Sequence, residues 1–163
     1  MTQSRETQIS LQDTVYYHCI SRCVRRAFLC GEDPYSGESF EHRRQWVVDR
    51  VRLLSSVFSI DVAAYAVLSN HYHLVLHVDI DDAKTWTHAE VVNRWQQIYH
   101  SRPVVDLYLS NQTNTIETQQ AIDIIEEWRS RLFDISWFMR CLNEFIAIAA
   151  NKEDNCKGRF WEG

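Results

Sequence analysis

The sequence predicts an α+β sandwich built on an antiparallel sheet. Two observations carry that expectation. Periodicities along residues 14–78 run strand, helix, strand, strand, and a two-residue Ser69-Asn70 interval joins the last two strands. The length agrees, because 163 residues suit one domain large enough to bury a core.

"DTVYYHCISR" alternates and is rich in β-formers, which predicts a strand over about 14–22. The Pro and Gly of "EDPYSGE" (32–38) mark a loop. Beyond it Val47, Val48, Val51, Leu54 and Phe58 recur at helical spacing, with Arg43, Arg44, Arg50 and Arg52 outside the stripe, so an amphipathic helix is expected over about 39–58. "DVAAYAVL" (61–68) and "HYHLVLHV" (71–78) read as two strands around a tight turn, where Asn70 would suit a left-handed backbone. Thr87 and Glu90 stand in capping-box positions ahead of Val91, Trp95 and Ile98, predicting a helix over about 87–99. "SRPVVDLYLSNQTNT" reads as a loop with a short extended piece, followed by an acidic helix over 117–132 and another from Ile135 to about Ala150. The chain stops at the aromatic, basic-tipped "CKGRFWEG", which suggests a truncated C-terminus.

Composition narrows the class. No apolar run approaches the ~20 residues of a membrane span, and the polar start "MTQSRETQISLQD" has no apolar leader region. Five cysteines, an odd number without CxxC spacing, argue against a disulfide framework or a structural zinc site and for reduced thiols in the cytoplasm. A net charge of -5 argues against a protein that coats DNA non-specifically. Locally the balance reverses. Thr14 to Gly31 holds no acid, and Arg22, Arg25 and Arg26 lie close together, as phosphate contacts or as a solvated strand end.

"SNHYHLVLHV" (69–78) carries the chemistry. Side chains alternate along a strand, so His71, His73, Val75 and His77 share one face while Tyr72, Leu74, Leu76 and Val78 share the apolar one. His71 and His73 would stand about 6.7 Å apart at Cα and can lean onto one ion; His77, about 13 Å from His73, lies too far to join them. Imidazole suits zinc, copper, iron or nickel, and added oxygen ligands would suit magnesium or manganese. Taken alone, a His-x-His pair on a strand is weak evidence for a metal site, and an ordinary structural strand is the plainer reading.

The surrounding segments change that reading. "VYYHCISRCVRRAFLC", a helix, "DVAAYAVLSNHYHLVLHV" and "WFMRCLN…CKGRFWEG" together resemble the single-tyrosine HUH transposases, and within them the REP-associated tyrosine transposases. The similarity covers most of 14–78 and 137–163. Residues 79–136 match poorly and read as a lineage-specific helical insertion in a single domain spanning 1–163. The resemblance implies a ferredoxin-like sandwich in which His71 and His73 hold a divalent cation, Mg or Mn. It implies single-stranded or hairpin DNA as the partner, and a homodimer or a monomer as the assembly. The implied activity is metal-dependent DNA strand cleavage and rejoining in transposition. In it a helix-borne tyrosine attacks the phosphodiester and keeps the bond energy in a covalent link. Arg22, Arg25 and Arg26 become DNA contacts.

One part of the family pattern is missing. Anchoring on "FMRCL" and "GRFWEG" places the tyrosine position at Ile146, or at Phe145 if the register slips by one. Neither side chain is a nucleophile. No tyrosine follows Tyr108, so Tyr99 and Tyr108 are the rescue candidates. Asn143, Glu144 and Asn151 are the candidates for a third metal ligand; Glu144 is the only carboxylate among them, with a solvated helix face as its plainer role. Three readings stand: a transposase-like nuclease, a catalytically inactive DNA-binding protein of transposase descent, and a small metal-dependent hydrolase unrelated to DNA.

Overall fold

The computed structural model describes residues 14–24 and 28–162. Its elements run β1 (Tyr16–Arg22), α1 (Arg43–Val57), β2 (Ile60–Val67), β3 (His71–Val78), α2 (Ile80–Thr85), α3 (His88–Gln96), α4 (Pro103–Leu109), α5 (Thr115–Arg131) and α6 (Ile135–Glu153). The strands form one antiparallel sheet in the order β1-β3-β2, so the histidine strand is central. This is the expected α+β architecture, with helices packed on one side of the sheet.

The alternation of β3 decides the layering. Tyr72, Leu74, Leu76 and Val78 are buried, while His71, His73, Val75 and His77 are each half-buried on the other face. Val47, Val51 and Leu54 of α1 and Phe138, Met139, Leu142 and Ile146 of α6 complete that inner core. In β2 the register shifts between Val62 and Ala64. Without that bulge Val62 and Val67 would face opposite sides; with it they pair with Leu76 and Tyr72 and both turn inward. The Ser69-Asn70 turn forms as expected, closed by Leu68 N–H to His71 O at 2.8 Å. Asn70 does not need the left-handed backbone that its residue type allowed, since only Asn111 and Asn155 among the described non-glycine residues have positive φ.

The segment after β3 is helical and docks on α6. The Thr87–Glu90 capping box is present, and a second one, Asn114 with Glu117, opens α5. The expected loop at 101–115 is corrected: Pro103 occupies the first turn of α4, where its fixed φ suits a helix and its missing N–H costs nothing. Burial of Val105 and the bond between Tyr108 and His88 then hold α4 against its neighbours, which outweighs the β preference of Val104-Val105.

Residues 160–162 lie on the edge of β1 away from β3. Val24 N–H bonds Phe160 O at 2.9 Å and Glu162 N–H bonds Arg22 O at 2.8 Å, whereas Cys23 N–H turns to Asn70 on the β3 side. The Trp161 indole donates to Asn143 O on α6 and meets Tyr72 edge to face.

Buried Arg43 fastens the start of α1 to the end of α6. It pairs with Glu153 and with Asp154 at the end of α6 and donates to Phe28 O. Among the described residues no helix is long and apolar enough to cross a membrane.

Candidate functional site

The outer face of the sheet gathers imidazoles. Arg22 lies opposite His71, Ile20 opposite His73 and His18 opposite Val75, and cross-strand partners point to the same side. Ala66 faces His73 from β2, and its methyl group leaves the imidazole uncrowded on that flank. The His71 and His73 rings meet edge to face with centroids 4.9 Å apart. The expected juxtaposition of these two residues is therefore present.

Both rings are oriented by a partner. Asn70 Oδ1 sits 2.7 Å from His71 Nδ1, and a carboxamide oxygen only accepts, so Nδ1 carries the proton and Nε2 keeps its lone pair. His73 Nδ1 lies 2.9 Å from His18 Nε2, with the two rings stacked. In the tautomer where His73 donates, its Nε2 is likewise left as a lone-pair donor. Metal-binding imidazoles are commonly held in this way through their other nitrogen. Burial, the positive Arg22 and then His73 all lower the His71 pKa, which favours the neutral form a metal needs.

His18 was not singled out from the sequence. Its signal was the antiparallel pairing of β1 with β3, which places it diagonally across from His73, and register cannot be read from either strand alone. His77 instead contacts Asp61 and meets the Tyr16 ring at a tilt, in keeping with its expected distance from the pair.

Two imidazole nitrogens fit a divalent ion that completes its shell with oxygen from water or phosphate, and Arg22 opposite His71 favours the phosphate rather than the ion itself. Among the described residues no group of three or more His, Cys, Asp or Glu is arranged to hold an ion. The candidates for a third ligand lie elsewhere. Glu144 faces Arg140 on α6 at 3.8 Å, and Asn151 Nδ2 donates to Gly158 O. The sheet separates them from the imidazoles, because α6 docks on the Tyr72 face: Tyr72 donates to Asn143 Oδ1 and Asn143 Nδ2 donates to Ser21.

The same sidedness governs the tyrosines. Ile146 is fully buried under the sheet, and Phe145 lies beneath the Arg50 guanidinium at 4.7 Å. Tyr99 contacts Cys141 through its hydroxyl, and burial together with that contact holds its pKa above the usual range, the reverse of what a nucleophile requires. Tyr108 is bonded to His88 at 2.8 Å. Neither is brought to the imidazoles. Arg22 reaches the site; Arg25 and Arg26 lie outside the described residues.

The site is thus a two-imidazole platform on the outer face of an antiparallel sheet, with an arginine beside it and no tyrosine from α6. Compared with protein-family models, with curated proteins and with solved structures, the chain matches none.

Proposed function

We propose that this chain is a transposase-like HUH protein that binds single-stranded or hairpin DNA on the outer face of its sheet without cutting it through α6. The observation that carries the reading is the His71–His73 pair on the central strand, each ring partnered at Nδ1 and Arg22 alongside. His71 and His73 would hold a divalent cation, Mg or Mn, whose role is to neutralise a backbone phosphate bound there. Arg22 adds a guanidinium suited to a phosphate oxygen. Exposed Ile20 and Tyr16 offer apolar surface to unpaired bases on the same face.

The missing nucleophile favours binding over strand cleavage. Ile146 and Phe145 cannot attack phosphorus, and α6 supports the sheet from the side opposite the platform. Any further ligand to the cation would come from water, from DNA or from a second copy, so a homodimer belongs to the same proposal. A cytoplasmic location belongs to it as well. None of the five cysteines is joined in a disulfide, and burial pushes the Cys23 thiol up to about 12.

The test is fluorescence anisotropy with a labelled single-stranded hairpin oligonucleotide and added Mn²⁺. Binding should weaken about tenfold, ~1.4 kcal/mol, in His71→Ala/His73→Ala. Undiminished binding in that variant would sink the platform. A denaturation-resistant protein–DNA adduct would sink the non-cleaving part.

A further inference from the structure

A cavity of about 280 Å³ opens in the helical layer between α3, α5 and α6. Its walls are aromatic: Trp95 and Trp128 stack in parallel with centroids 5.2 Å apart, and Tyr99 and Trp137 adjoin Trp95. The remaining lining is largely cationic, with Arg102, Arg131 and Arg140. On α6 the stripe Trp137, Arg140, Cys141 and Glu144 follows helical spacing, set well around the helix from Asn143, which faces the sheet. The cavity and the imidazole platform therefore lie on different sides of the fold.

The guanidiniums are held in place. Arg131 lies over the Trp137 ring at 4.2 Å and Arg140 at 5.0 Å, contacts that restrict their rotamers before any ligand arrives. Arg131 also pairs with Glu127 and Arg140 with Glu144, but both carboxylates are about half exposed and open to replacement by another anion. Arg102 makes no ion pair among the described residues. Positive groups outnumber the acids around this cavity, although the chain as a whole is acidic.

Trp95 and Trp128 are buried against each other behind the cavity, so the half-buried Tyr99 and Trp137 are the aromatic groups that can meet a planar ring, and clustered guanidiniums suit phosphate oxygens. The volume sits just below the small-molecule range of about 300 Å³ and upward, which admits one nucleotide and not several. We propose that this cavity binds a nucleoside phosphate, with its base against Tyr99 and Trp137 and its phosphate at Arg102 and Arg140. The ligand is either a free mononucleotide or one unit of a single strand. The proposal does not rest on the reading of the sheet face.

Three of the six tryptophans line the cavity, so intrinsic fluorescence reports on it. Deoxyadenosine 5′-monophosphate should quench emission saturably, with deoxyadenosine and inorganic phosphate each about tenfold weaker. Arg102→Ala/Arg140→Ala, both at exposed positions, should lower nucleotide affinity about tenfold with unchanged circular dichroism. His71→Ala/His73→Ala should leave the response intact. A single-stranded oligodeoxyadenylate that binds more tightly than the mononucleotide, and loses that advantage in the arginine variant, assigns the site to a strand; equal affinity assigns it to the free nucleotide. The proposal is overturned by no saturable response to either probe, by full affinity in the arginine variant, or by an acidic aromatic peptide outcompeting the nucleotide.

Discussion

Tyr72 and Asn143 are joined across the boundary between sheet and helix, the phenol hydroxyl donating to Asn143 Oδ1 at 2.6 Å. This bond marks the side of the histidine strand that α6 occupies, the side that the apolar Tyr72, Leu74, Leu76 and Val78 already select. Tyr72 stands between His71 and His73 in sequence and points the other way, so a helix held by Tyr72 is on the wrong side to reach the imidazoles.

Loss of that bond should weaken the whole inner core. Asn143→Ala removes partners of both Tyr72 and Ser21 and is expected to cost about 1–3 kcal/mol, against about 1 kcal/mol for Tyr72→Phe. Urea denaturation of the two variants and their double mutant should show losses that do not add, since both remove one shared bond.

Arg43 should respond asymmetrically to mutation. It is only 1% exposed, whereas its partners Glu153 and Asp154 reach solvent. Glu153→Gln/Asp154→Asn strands a buried cation and should cost about 3 kcal/mol or more, while Arg43→Met frees two carboxylates to water and should cost less. Thermal melts showing the reverse order would contradict this account.

Acid should loosen the same junction. Partial burial pushes the Glu153 carboxyl up, but the hydrogen bond and charge of Arg43, with His42, outweigh it and hold the pKa below the ordinary value. A depressed folded pKa contributes stability that is present above the unfolded value, near 4.3, and is lost as pH falls through the folded one. Stability measured from pH 6 down to 3 should fall in the native chain, and Glu153→Gln should flatten that decline.

His71 should titrate low. Burial, then Arg22 and His73, depress its pKa below the usual value of about 6.5. The neutral ligand form therefore persists below that pH, and the linked stability declines only as pH falls from about 6.5 through the folded pKa. Imidazole NMR should give a midpoint under 6.5 that rises in Arg22→Ala, where one positive neighbour is gone.

Restoring a tyrosine by sequence alignment should not restore cleavage. Ile146→Tyr forces a phenol into a fully buried position and should cost about 1–3 kcal/mol through overpacking. Phe145→Tyr should fold normally. Neither should form a covalent adduct with single-stranded DNA in Mn²⁺, as denaturing electrophoresis would show.

Much of this fold is legible in the sequence. The period-2 alternation of 71–78, the helical stripes of α1 and α6 and the Thr87–Glu90 cap are local signals, set by which side chains neighbour one another along the chain. The helix at Pro103–Leu109 was not legible, because its β-branched pair reads as extended until burial of Val105 and the Tyr108–His88 bond decide otherwise. The bulge in β2 was hidden for a similar reason, since it exists only relative to the partner strand.

The candidate site divides along the same line. Sequence alone determined that His71 and His73 share a face and that no tyrosine follows Tyr108. Only the tertiary structure brought His18 to His73, set Asn70 on His71 Nδ1 and placed α6 beneath Tyr72. It alone also assembled Trp95, Trp128 and Trp137 with arginines from three separate segments. Spacing along one strand fixes direction by covalent geometry, whereas a contact between elements depends on register and on which face is apolar enough to be buried, and both are settled only when the core closes.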